Sequence, residues 1–182
     1  MSTISKVAIF CGSKTGNNKL YAEQAKELAE ILAEYKIELV YGGGKKGLMG
    51  IVADTVMNKA GIVRGVIPKT LSEREHQHDN ISELFVVDDM HIRKRKMYEL
   101  CDAVLILPGG YGTLDELFEV LTWNQLSIHD KKVFILNSGG FYDHLLQHLQ
   151  FLAAEGFLWT DFSETLTVLT EAEEFRACVR ES

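Results

Sequence analysis

Short, β-branched apolar runs alternate along the chain with longer stretches whose apolar positions recur at helical spacing. The runs are KVAIFC (6–11), IELVYG (37–42), GIVRGVI (61–67), LFVV (84–87), DAVLILP (102–108), KKVFIL (131–136) and LTVLT (166–170). Between most of them the spacing predicts amphipathic helices over Leu20–Tyr35, Leu48–Ala60, Asp89–Leu100, Thr113–His129, Phe141–Glu155 and Ala172–Val179. Strands that are apolar on both faces and alternate with helices specify a parallel sheet covered on both sides. The expected fold is therefore α/β: a doubly wound three-layer sandwich around a mainly parallel sheet of about seven strands. No internal repeat, low-complexity tract or linker divides the chain, so residues 1–182 read as a single domain. The one long irregular stretch, PKTLSEREHQHDN (68–80), is rich in charge and is expected to be a surface loop that covers a site.

Composition narrows the classes. A hydrophobic content of 46% over 182 residues is enough for one globular core. The net charge of -7 argues against general affinity for nucleic acid or an anionic membrane, so any bound anion must be held locally. Three scattered cysteines, Cys11, Cys101 and Cys178, form neither a disulfide framework nor a metal-binding pair, which favours a reducing, cytoplasmic setting. The opening MSTISKVAIFCG has no signal-peptide core, and no apolar run is long enough to span a bilayer, so neither leader nor membrane anchor is expected.

In doubly wound folds ligands bind beyond the carboxyl ends of the strands, and both glycine-rich loops fall there. YGGGKKG (41–47) matches G-x-G-x-x-G at Gly42, Gly44 and Gly47, but the next strand ends GVIPK, with Lys69 and no acid where a ribose-binding carboxylate belongs. The loop is read as a backbone-amide cradle or a close-packing turn, not a dinucleotide fingerprint. PGGYGTLDE (108–116) brings glycines, a hydroxyl and a carboxylate into one turn at the start of a helix. Thr113 and Glu116 suit a capping box, and the glycines would also let an anion reach bare backbone amides. MHIRKRKM (90–97) sets Met90, Arg93, Lys94 and Met97 on one helix face, either a solvated face over core methionines or a grip on phosphate. The histidines carry less. His144 and His148 stand four apart without the glutamate of a zinc protease, and His76 and His78 in the charged loop are expected to be unliganded. Neither a G-x-S-x-G elbow nor a Walker A lysine is present.

Taken in order, GGGKKGLMG, GVIPKTL, DMHIRKRKM, PGGYGTLDELFEVLTWNQLSIHDKKV and GFYDHLLQHLQFLAAEGFL closely resemble the Lonely Guy (LOG) family of cytokinin riboside 5′-monophosphate phosphoribohydrolases, from about Val7 to about Leu169. The resemblance implies a Rossmann-like nucleotide-binding domain and a homodimer. It also implies hydrolysis of the N-glycosidic bond of adenosine-type monophosphates, AMP or N6-substituted cytokinin riboside monophosphates, to free base and ribose 5-phosphate. Arg93 and Glu116 match the family's catalytic pair. Lys94 and the stretch Gly110, Tyr111, Gly112 and Thr113 match its phosphate and ribose contacts, and Gly109, Leu114 and Asp115 are counted with them as substrate-binding candidates. Glu75 and Thr122 match further substrate contacts, Gly43 and Gly44 would add amides, and Ser13 and Met90 would face the base. The charged loop reads SERE where relatives often have MPRE, which bears on base preference. Some relatives carry the label lysine decarboxylase, yet no recognisable pyridoxal-phosphate site is present in the sequence.

The chemistry fits these residue types. Glycosidic cleavage passes through an oxocarbenium-like transition state that a carboxylate such as Glu116 can stabilise, or for which it can activate the attacking water. Arg93 can neutralise charge on the departing base or clamp the phosphate, but does not give up a proton. Neither a metal nor an organic cofactor is called for. The competing expectation is a non-catalytic carrier of a nucleotide or nucleotide-bearing cofactor on the same fold.

Overall fold

In the computed structural model, residues 4–72, 77–160 and 162–180 are described. All seven strands expected from the apolar runs form, and they pair in parallel in one sheet of order β4-β3-β2-β1-β5-β6-β7. They are β1 (Lys6–Phe10), β2 (Glu38–Tyr41), β3 (Val63–Pro68), β4 (Glu83–Val87), β5 (Ala103–Ile106), β6 (Lys132–Leu136) and β7 (Leu166–Leu169). Helices α1 (Lys19–Glu34), α2 (Gly47–Asn58), α3 (Lys69–Ser72), α4 (Met90–Leu100), α5 (Tyr111–Gln125), α6 (Asp143–Ala154) and α7 (Phe175–Arg180) connect or follow them.

The two-residue period of a strand explains the layers. On β1, Val7 and Ile9 pack with α1, α2 and α7, whereas Ala8 and Phe10 face the opposite core of α4, α5 and α6. β5 repeats this, with Ala103 and Leu105 on the first side and Val104 and Ile106 on the second. Both faces of the central strands are dry, which is why the runs lack polar alternation. Strand order reverses where β1 pairs with both β2 and β5, and this opens a crevice beyond their carboxyl ends.

Helix starts show where local signals were followed and where they were not. Asn18 caps α1 by accepting from the Leu20 amide at 3.0 Å, and Asp89 caps α4 by accepting from the Ile92 amide at 2.8 Å. The expected Thr113–Glu116 capping box does not form. Helix α5 begins two residues earlier, at Tyr111, with Gly110 as its cap and no side chain capping it. Thr113 is consequently inside the first turn and buried. The same helix ends at Gln125 rather than at His129, which instead packs its ring near Trp123 and Tyr98.

The stretch from 68 to 80 is less irregular than its composition predicts. Pro68 completes β3, α3 follows, and Gln77 forms an antiparallel bridge to Gly44. Residues 73–76, including Glu75 and His76, lie outside the described residues. His78 is buried, not exposed: its amide donates to the Gly43 carbonyl at 2.9 Å and its Nε2 stands 2.9 Å from Asp54 Oδ1.

Candidate active site

Three elements converge at the crevice. The β1 turn brings Cys11, Gly12 and Ser13; the β5 loop brings Pro108, Gly109 and Gly110; and α4 projects Arg93 from the side. Gly12 donates its amide to the Pro108 carbonyl at 3.0 Å and accepts at its own carbonyl from Leu48 at 3.0 Å, so the two loops and α2 are joined through backbone.

Arg93 is 7% exposed and Glu116 6%, and a guanidinium nitrogen lies 3.5 Å from the Glu116 carboxylate. Removing one partner of so enclosed a pair leaves an uncompensated buried charge. Arg93 is fixed further: its Nε donates to the Val66 carbonyl at 3.1 Å, and Nη1 lies 3.8 Å from the sulfur of Met90. Gly42 leaves room for this guanidinium, because a β-carbon there would collide with it. On the carboxylate side, Tyr98 donates its hydroxyl to the Glu116 backbone carbonyl at 3.1 Å. The Cys11 thiol lies in the same field: burial first, and then the Glu116 charge, push its pKa far above the usual thiol range, with Arg93 opposing. It is a neutral group beside the pair.

The N-terminus of α5 faces the other half of the crevice. A β-carbon at Gly109 would strike the Thr113 hydroxyl, so that glycine is a packing necessity. Gly110 and Gly112 have no atom within 4 Å of where a side chain would begin. The first amides of α5, uncapped by any side chain, border this space, and a helix N-terminus of this kind favours an anion. Ser13, Lys14, Gly109, Gly110, Tyr21 and Phe141 line a cavity of about 220 Å³ here.

Lys94 is engaged by two carboxylates of α5. Its ammonium lies 2.9 Å from Asp115 and 3.1 Å from Glu119, so it ties α4 to the first turns of α5. Burial works against its charge, but the two carboxylates outweigh burial and hold its pKa above the ordinary lysine value. Asp115 belongs to this tie, and Leu114 packs against the core.

The structure brings Arg93 together with Glu116 and Met90, and Ser13 together with Gly109 and Gly110 around the cavity, while Thr113 and Glu116 share the first turns of α5 and Tyr111 is 94% exposed. Gly43 and Gly44 are buried and bonded to His78 and Gln77. Thr122 lies two and a half turns along α5 from Thr113, donating to the Phe118 carbonyl at 2.6 Å and lining a groove against α6. Gly42 and Tyr98, which hold the pair from behind, carry no local sequence signal for that work. Lys14 was likewise not among the expected contacts. Among the described residues no His, Cys, Asp and Glu group could hold a metal ion, and no helix is long and apolar enough to cross a membrane.

Fold and crevice together define a doubly wound α/β protein with an anion-ready helix N-terminus beside an enclosed guanidinium–carboxylate pair. A family model described as possible lysine decarboxylase matches residues 49–178. The chain is also 45% identical over 169 residues to the probable cytokinin riboside 5′-monophosphate phosphoribohydrolase LOGL1 of Oryza sativa subsp. japonica, covering 93% of this chain and 76% of that protein. It belongs to the Lonely Guy (LOG) family. The cytokinin riboside 5′-monophosphate phosphoribohydrolase LOG1 of Arabidopsis thaliana is 48% identical over 157 residues, which is 86% of this chain and 74% of the relative. Among solved structures, the Moco carrier protein of Chlamydomonas reinhardtii superposes with a TM-score of 0.72 at 16% identity, covering 97% of this chain and 95% of that one. The molybdenum cofactor binding protein of Rippkaea orientalis gives 0.69 at 20% identity, covering 97% and 94%. Identities this low establish the shared fold alone.

Proposed function

We propose that this protein hydrolyses the N-glycosidic bond of adenosine-type nucleoside 5′-monophosphates, AMP or its N6-substituted cytokinin counterparts, to free base and ribose 5-phosphate. The observation that carries the reading is the enclosed Arg93–Glu116 pair at 3.5 Å, set beside the uncapped N-terminus of α5. The names of the LOG relatives support the same chemistry.

In this reading the 5′-phosphate rests on the amides of Gly110–Thr113, with Ser13 opposite. Glu116 faces the sugar, where it stabilises the oxocarbenium-like transition state and takes a proton from the attacking water. Water adds at C1′ as the C1′–N bond breaks, and the proton given up to Glu116 is balanced by the one the base takes up on leaving, which restores the carboxylate. Arg93 stays charged throughout, orienting the carboxylate and offsetting negative charge on the departing base. Binding energy from the phosphate, remote from the broken bond, is realised at the sugar. The decarboxylase description finds no support in Lys94, the buried lysine among the described residues: a Schiff-base lysine needs a depressed pKa, and this one is raised.

We further propose a cytoplasmic homodimer. Free cysteines suit a reducing compartment. The groove between α5 and α6, where Phe118 and Leu152 meet the segment carrying the exposed Phe157 and Trp159, supplies an apolar face of the kind subunits bury. Trp123 contributes little to it, since its ring is engaged 5.1 Å from Tyr98 in the core, whereas Leu126 is 53% exposed.

The test is release of free base from AMP and, separately, from N6-isopentenyladenosine 5′-monophosphate, with Glu116→Gln as control. Base and ribose 5-phosphate are expected, falling by about 10²–10⁴-fold in the variant. Nucleoside plus inorganic phosphate would instead define a phosphatase. An unchanged, tightly bound nucleotide would define a carrier.

A further inference from the structure

The chain is acidic overall, yet the mouth of its crevice is not. Residues 11–19 and 41–47 together carry four lysines and no aspartate or glutamate, in a chain with 26 acids against 19 lysines and arginines. Folding brings these two segments together. The backbone of Ser13 and Lys14 lies directly against Gly47, where a β-carbon would collide with it, and Leu48 donates to the Gly12 carbonyl. Lys14 and Lys46 are therefore neighbours on the rim, with Lys45 beside them, and all three are exposed.

None of the three has an ion-pair partner among the described residues, so their charge is not offset by a neighbouring carboxylate there. Lys14 also lines the cavity that Gly109 and Gly110 share with Ser13. The positive charge of Lys14 on this cavity wall, with Lys45 and Lys46 on the adjoining segment, offsets locally the repulsion that the whole molecule exerts on an anion.

We propose that Lys14, Lys45 and Lys46 form a cationic rim that captures the substrate's 5′-phosphate, with Lys14 contacting it directly, and that this rim sets the preference for phosphorylated over unphosphorylated nucleosides. The inference rests on the nucleotide reading above and concerns binding rather than bond cleavage. A lysine is suited to the task, since its ammonium is a mobile point charge that can follow the phosphate from the rim to the amides of α5. Arg93, buried and bonded to Val66, is not mobile in that sense.

The experiment compares wild type with K14A and with K14A/K45A/K46A, using AMP and adenosine as ligands. The triple variant should raise KM for AMP by about tenfold while kcat stays within about twofold, with K14A responsible for most of the change. Adenosine binding should not move. Wild-type kcat/KM should fall as salt rises from about 20 mM to about 200 mM, and the triple variant should lose that slope. Unchanged KM and an unchanged salt slope would overturn the proposal, as would equal weakening of AMP and adenosine. Calorimetric AMP binding reads the rim even in a protein that releases no base, so failure of the rim and failure of the hydrolase reading are told apart.

Discussion

The loops after β2 and β5 look alike in sequence and differ in what occupies the space above their glycines. After β2, that space belongs to the protein. A side chain at Gly42 would collide with Arg93, and one at Gly47 with the backbone of Ser13 and Lys14. After β5, Gly109 is of the same kind, but Gly110 and Gly112 open onto nothing within 4 Å. Glycine richness alone therefore does not distinguish a packing turn from a ligand loop. The first loop acts at one remove, by letting a guanidinium lie where Glu116 can meet it, and the second offers amides directly.

Gly42→Ala carries the largest expected effect. The added methyl overlaps the Arg93 guanidinium and forces it to shift beside Glu116, so base release should fall by about 10³ in kcat/KM, on the order of 4 kcal/mol of lost transition-state stabilisation. Steady-state kinetics with AMP, beside a circular dichroism spectrum matching wild type, provides the check. A fully active variant would mean that the first loop does not hold the pair.

A middle-sized effect separates holding from touching on the second loop. Lys94→Met removes the cation between Asp115 and Glu119, both on α5. Because Asp115 is 60% exposed and relaxes into water, the loss should be about 2 kcal/mol rather than the full cost of breaking a buried pair. Urea denaturation measures it. If Lys94 contacts phosphate instead, stability will hold and KM for AMP will rise.

Smaller still, Gly112→Ala should move stability and binding in opposite directions. Position 112 lies in the first turn of α5 with open space above it, so alanine should stabilise the fold by roughly 0.5–1 kcal/mol while its methyl raises KM for AMP. Thermal melts and kinetics on one sample decide it. An unchanged KM would place the phosphate elsewhere.

What was legible follows from the range of each interaction. The strands could be read because a run of β-branched residues such as VAIF or AVLI carries its own signal and both faces are buried alike. Arg93 and Lys94 could be placed on one helix face by spacing, but not assigned opposite tasks, since that depends on Val66 and Gly42 on one side and on α5 on the other. Thr113 looked like a cap because Thr and Glu stand three apart. The chain starts the helix at Tyr111 instead, since the Thr113 hydroxyl sits against Gly109 in the interior. His78 looked like a loop residue by composition, and only α2, distant in sequence, supplies the Asp54 that explains its burial.

The contrast between groups closed by protein and groups left open runs along β5 itself, and yields the smallest prediction. At the amino end, Asp102 Oδ2 accepts from the Ser5 amide at 2.9 Å, the Ser5 hydroxyl at 2.8 Å and the Lys6 amide at 2.9 Å. Burial alone would raise its pKa, but these donors outweigh burial and hold it below the usual aspartate value. A depressed carboxylate contributes stability above its unfolded pKa of about 3.9, and that contribution is lost as pH falls through the lower folded value. Asparagine can still accept from the same donors, so Asp102→Asn should cost only about 0.5 kcal/mol at pH 7, screened by solvent at this partly open site. The charge-dependent part of the difference between the two urea midpoints should vanish once Asp102 is protonated in both the folded and the unfolded state, below its depressed folded value. Base release from AMP should be unchanged throughout the range where both stay folded, because this end of β5 carries no part of the crevice. A variant equally stable at every pH would mean that the charge on Asp102 adds nothing to its three hydrogen bonds.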